Sequence, residues 1–147
     1  MTMTLNMDAV LTLTRRSLDA HSTLNRRSPV TDLADQTTKR QRVHLLGFSF
    51  SWELDYSNIV SMLEDMGIPV NAADRGEEDP IVFGGGPVLT ANPEPYAAWF
   101  DCVLVGDGEQ LLGDFVETVH RVVNGGGSRM DVLDALCVVP GVYVPGF

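Results

Sequence analysis

Residues 79–95 read DPIVFGGGPVLTANPEP. A short apolar run, Ile81-Val82-Phe83, enters three glycines and a proline and leads toward a helix. Asn92 is a strong N-cap and Pro93 suits a first helical position, so the spacing predicts a helix opening there and carrying Tyr96, Trp99 and Phe100. The glycine turn has two readings. It is a structural change of direction, or it is a smooth rim on which a flat ligand approaches the backbone closely.

The pattern repeats on both sides of this stretch. Residues 43–48, VHLLGF, form a continuous apolar run that suits a strand buried on both faces. Ile59, Met62, Leu63 and Met66 then recur at spacings of three and four. Ser57 or Asp55 is placed to cap that helix, and Gly67 followed by Pro69 stops it. After the acidic loop DRGEEDP come the IVF strand and its helix, then the strand CVLV at 102–105, which stops at GDGE. Leu111, Leu112, Phe115, Val116, Val119, Val122 and Val123 mark a long amphipathic helix that ends at the glycines 125–127.

Three alternations of strand and helix predict an α/β fold. The expected architecture is a three-layer, Rossmann/flavodoxin-like parallel sheet with right-handed crossovers, incomplete, with three clear strands. In such sheets the loops at the carboxyl ends of the strands gather into one crevice. Gly47, Ser49 and Ser51, then Gly84 to Gly86, then Gly106 and Gly108 fall in those loops.

Charge divides the chain. Residues 1–42 hold seven Lys and Arg against four acids, or +3, while residues 43–147 hold three Arg against sixteen acids, or −13, giving the total of −10. The expected organisation is a flexible or divergent leader at 1–42, an α/β domain at 43–127, and a C-terminal helix and tail at 128–147. The leader also admits a transit-peptide reading, against which its four acids weigh. The expected location is accordingly cytoplasmic, with a plastid as the alternative. The acidity argues against binding nucleic acid or anionic lipid, and no apolar run reaches the eighteen residues of a membrane span. Cys102 and Cys137 are isolated, so neither a disulfide framework nor a C-x-x-C metal site is signalled.

Ordinary nucleotide motifs fail. A dinucleotide fingerprint on Gly84-x-Gly86 would need glycine where Leu89 stands, and no Gly-Lys-Ser or Gly-Lys-Thr exists for a P-loop. Glu94 would repel a phosphate placed near the start of the predicted helix.

The stretches LGFSFSWELDYSNIVSMLEDMGIP (46–69), DPIVFGGGPVLTANPEPYAAWFDCVLVGDGEQLLGDFVETV (79–119) and VPGVYVPGF (139–147) together resemble a known family. They look like the cobalamin-binding-like domain that precedes the catalytic barrel in radical S-adenosylmethionine (radical SAM) proteins. The resemblance covers residues 43–147. It implies a doubly wound domain whose carboxyl edge faces a corrin through Ser49, Ser51, Gly84, Gly85, Gly86, Pro87, Gly106, Asp107, Gly108 and Glu109.

The departures limit what carries over. Where the family's protein ligates cobalt, the motif is Asp-x-His-x-x-Gly; here Asp19 and His21 are followed by Leu24 in place of the glycine, so no metal ligand is assigned. His44 in an apolar strand reads as a core residue, and His120 as a solvated helix position. Radical SAM chemistry needs three cysteines around a [4Fe–4S] cluster, and two isolated ones do not suffice. The chain is therefore expected to be a partial homologue without its own catalytic centre. S-adenosylmethionine and the cluster would belong to the full-length family, cobalamin would bind weakly or not at all, and the partner would be a radical SAM barrel on a separate or missing polypeptide. The alternative is a noncatalytic interaction fragment docking through the VHLLGF edge, which would be unpaired unless residues 1–42 cover it. A small hydrolase lacks a convincing nucleophile and base.

Overall fold

The computed structural model describes residues 10–13 and 45–146. Val10–Leu13 (β1), Leu45–Ser49 (β2), Ile81–Gly85 (β3) and Cys102–Leu104 (β4) lie side by side in that order, all parallel. Val142–Tyr143 (β5) adds antiparallel to β4. The fold is α/β with a mixed, mostly parallel sheet. Two strands join the three expected. Both are too short to display periodicity, and Val142–Tyr143 stands between Pro140 and Pro145.

The helices are Tyr56–Asp65 (α1), Pro87–Ala91 (α2), Gly108–Asn124 (α3) and Arg129–Leu136 (α4). Because strand side chains alternate, each strand feeds two cores. On one face Leu46, Phe48, Val82 and Val103 meet Ile59, Met62 and Leu63 of α1 and Leu89 of α2. On the other, Leu45, Ile81, Phe83, Cys102 and Leu104 meet Leu111, Phe115 and Val119 of α3 and Val132, Leu133 and Leu136 of α4. Ser128 caps α4 in a capping box with Asp131.

Three expectations are corrected. The helix after β3 opens at Pro87, with Gly86 before it, rather than at Asn92. Proline's fixed φ suits the first helical position, and Gly86 supplies the φ of 105° that the approach requires. Asn92 ends α2 instead, its side chain accepting from the Glu94 N–H at 3.2 Å, and Glu94–Trp99 winds as a 3-10 helix. Gly47 and Ser49 lie inside β2 and Gly84 and Gly85 inside β3, rather than in the loops after them, and Gly47 is kept bare by the Phe83 ring, whose Cε2 would stand 2.8 Å from a Cβ. Finally, β2 is not an open edge: β1 pairs with it in parallel from Val10↔Leu45 to Leu13↔Phe48. His21 and His44 lie outside the described residues.

Candidate functional site

Parallel pairing brings the loops after β2, β3 and β4 to one edge of the sheet, where the glycines were expected to gather. Ser49, Gly85 and Gly86 are half-buried there, and Ser51, Pro87, Gly106, Asp107 and Gly108 are exposed. Glu109 follows in the first turn of α3. Gly84 is buried within β3.

Phe50 explains most of the glycine turn. Its N–H donates to the Gly85 carbonyl at 2.7 Å, and its carbonyl accepts from Val88 N–H at 3.2 Å. The strap passes so near Gly86 that a Cβ there would stand 2.8 Å from the Phe50 oxygen. A Cβ at Gly84 would collide with Leu89 and lie 2.9 Å from Phe100. Only Gly85 has room, its nearest neighbour being Leu104 at 3.8 Å. The protein's own atoms thus require two of the three glycines. Across the rim, the Thr90 hydroxyl accepts from Gly106 N–H at 3.3 Å and ties the second loop to the third.

Beside the strap runs an aromatic ladder. Phe50 meets Tyr96 edge-on at 4.7 Å, Tyr96 meets Trp99 at 5.6 Å, and Trp99 stacks on Tyr56 at 6.1 Å. It leads from the buried Phe50 ring to the exposed side of Tyr56.

The opposite, amino edge carries a feature that sequence reasoning missed. Asp101, just before β4, accepts from Arg75 Nη1 at 3.0 Å and from Val82 N–H at 2.7 Å, and Arg129 Nη2 pairs with its other oxygen at 2.5 Å. Arg75 also donates to the carbonyls of Pro69, Val70 and Trp99. Arg129 Nη1 donates to those of Asp79 and Pro80. All three side chains are buried. Burial lowers the Arg75 pKa, and Asp101 opposes that shift. The one available signal was compositional: of three Arg in a strongly acidic segment, two are spent inside. Beside them a cavity of about 590 Å³ is lined by Ala72, Ala97, Phe100, Leu133 and Val144 together with the three charged groups.

Neither thiol is activated. Complete burial, with Asp101 adjacent, pushes the Cys102 thiol well up, and Cys137 is also raised, chiefly by desolvation. Among the described residues no group of three or more His, Cys, Asp and Glu is placed to hold a metal. No helix among them is long and apolar enough to cross a membrane. His120 sits half-buried on α3, a ring nitrogen 2.9 Å from Asn124 Nδ2.

The family model described as "Radical SAM proteins, N-terminal" matches residues 15–145, reaching back into the segment expected to be a leader. No curated protein matches the chain, and no solved structure does.

Proposed function

This chain belongs to the N-terminal family of radical SAM proteins, and we propose that residues 43–147 form an accessory module that holds no catalytic centre itself and serves a radical SAM barrel outside these residues. The observation that carries this reading is the state of its thiols. A cluster of the [4Fe–4S] type takes thiolates from several cysteines. Cys102 is wholly buried in the core against Phe115 and Leu136, and the Cys137 thiol donates to the Leu133 carbonyl at 3.2 Å. These residues do not fit the cluster. S-adenosylmethionine chemistry is accordingly assigned to the barrel.

The rim is read as a cobalamin-binding-like edge that holds cobalamin weakly or not at all. Ser49, Ser51, Gly85, Pro87 and the Gly106–Glu109 loop are the groups that would face a corrin. One feature argues against tight binding. Gly84 and Gly86 already serve Leu89, Phe100 and the Phe50 strap, so they offer a ligand no free cradle.

Titration of the purified full chain with hydroxocobalamin, followed by its visible spectrum and by equilibrium dialysis, tests this. The expected result is no saturable binding in the micromolar range. Submicromolar affinity that is lost in Gly85→Val would overturn it. We take the cytoplasm as the location and a plastid as the alternative, and fractionation of the tagged full chain between cytosol and plastid would separate the two. Docking through the first apolar strand is discarded, because β1 already pairs with that edge.

A further inference from the structure

The cavity of about 590 Å³ at the amino edge of the sheet draws its wall from segments far apart in sequence. Ala72 and Ala73 come from the 3-10 turn Ala72–Asp74, Ala97 and Ala98 from the 3-10 helix Glu94–Trp99, and Leu133 from α4. Phe100 adds an aromatic wall, and residues 144–146, returning to this edge after β5, form a further side. The four alanines leave room that larger side chains would take. The volume lies within the roughly 300–1,000 Å³ range of small-molecule sites.

The polar part of the wall is the cluster of Arg75, Asp101 and Arg129. Arg75 engages every nitrogen of its guanidinium, donating to Asp101 and to the carbonyls of Pro69, Val70 and Trp99. Arg129 does not. Its Nη1 donates to the Asp79 and Pro80 carbonyls, but its Nη2 is buried with no hydrogen-bond acceptor among the described residues. Asp101 Oδ1 stands 2.5 Å from that nitrogen as an ion pair, outside hydrogen-bond geometry. The Arg129 side chain is only 8% exposed, so bulk water does little for the spare N–H. A buried donor without an acceptor is costly, and it marks a point where an arriving oxygen gains more than it would at the surface.

Charge says what kind of oxygen suits it. Arg129 already faces the Asp101 carboxylate, and its backbone N–H donates to Glu77 Oε2 at 2.9 Å on the same wall. A ligand carboxylate or phosphate on Nη2 would sit against Asp101 and be repelled in these buried surroundings. A cationic ligand would meet two guanidinium groups instead. An uncharged carbonyl oxygen avoids both repulsions and still satisfies the donor.

We propose that this amino-edge cavity binds an uncharged small molecule with an apolar body and one carbonyl oxygen. The oxygen accepts from Arg129 Nη2, and the body lies against the alanines, Phe100 and Leu133. Arg129 orients the ligand, while the alanines set the size of body that fits. The site lies at the opposite edge of the sheet from the glycine rim, so it depends neither on cobalamin binding nor on the accessory-module reading.

The test uses the full chain with isotope-labelled alanine methyls, titrated with 3-phenylpropanamide and followed by NMR. Expected is saturable movement of the Ala72, Ala73, Ala97 and Ala98 methyls, half-complete at or below about 1 mM. The methyl of Ala91, at the end of α2, should stay still. Propylbenzene lacks the acceptor and 3-phenylpropanoate carries a charge, and each should bind at least tenfold more weakly. Ala97→Leu fills the cavity without altering the ion cluster and should abolish binding. Arg129→Lys should reduce the amide to the level of propylbenzene, whereas Leu54→Ser, an exposed residue after β2, should change nothing. Circular dichroism verifies that each variant is folded, and if Arg129→Lys is not, the ligand series and Ala97→Leu decide the matter. Three results would each overturn the proposal: no saturable movement of the four methyls, equal or tighter binding of propylbenzene or the acid, or undiminished binding in Ala97→Leu. A failed cobalamin titration leaves this outcome untouched, and a failed amide titration does not alter the cobalamin result.

Discussion

Gly86 packs against the backbone of Phe50 closely enough that a Cβ on it would meet the Phe50 carbonyl oxygen at 2.8 Å, and its φ of 105° lies where L side chains are strained. The turn between β3 and α2 is therefore shaped first by a protein strap. Any rim it offers a ligand is what remains after that strap is seated.

The three glycines should consequently behave differently. Gly86→Ala should destabilise the domain by about 2 kcal/mol or more, combining backbone strain with a backbone clash. Gly85→Ala, whose Cβ would make only ordinary contact with Leu104, should cost less than about 1 kcal/mol. Urea unfolding of the two variants is the measurement, and equal midpoints would contradict this account of the turn.

Asp101 joins loops that are distant in sequence. Arg75 is 26 residues away and Val82 is 19. Asp101→Asn removes the one carboxylate that two buried guanidinium groups share, and breaking a buried pair this way costs about 3–5 kcal/mol. The exposed Asp134→Asn should stay within about 0.5 kcal/mol of the parent. Denaturant midpoints that moved equally for both would show the cluster to be energetically idle.

Tyr143 on β5 donates its hydroxyl to Glu94 Oε1 at 2.6 Å, and this hydrogen bond raises the phenol pKa above its usual value. The neutral phenol is the form that donates. Its contribution to stability is fully present below the unfolded value near 10 and is lost as pH rises through the higher folded value. Absorbance titration of the tyrosinates should lose its late component in Tyr143→Phe. In Glu94→Gln that component should move down toward the ordinary range.

The chain alone should not cleave S-adenosylmethionine reductively. After anaerobic reconstitution with iron and sulfide and addition of dithionite, chromatography should detect no 5′-deoxyadenosine above the protein-free control. Product formed together with the broad visible absorption of an iron–sulfur cluster would reassign Cys102 and Cys137 from core to ligand.

The strands β2, β3 and β4 and the helices α1 and α3 are legible in the sequence because their signals are periodic and local. Apolar runs of VHLLGF type, spacings such as Ile59, Met62, Leu63, and stops such as Gly67 with Pro69 depend on neighbours within a turn or a pleat. From them the α/β class and the gathering of three loops at one edge follow directly. What tertiary structure alone decided is whatever depends on residues that meet only after the crossovers are made. Asn92 carries the stronger local signal for a helix start, yet Pro87 begins the helix, because Gly86 must turn where the Phe50 strap lies against it. Gly47 and Gly84 resemble loop glycines on paper. They are strand residues, kept bare by the Phe83 ring and by Leu89 with Phe100. The pairing of β1 with β2, the antiparallel return of β5 and the burial of Arg75 and Arg129 around Asp101 have no local periodicity to announce them. An ion pair between residues dozens of positions apart depends on the path of the whole chain, and no short window of sequence contains that path.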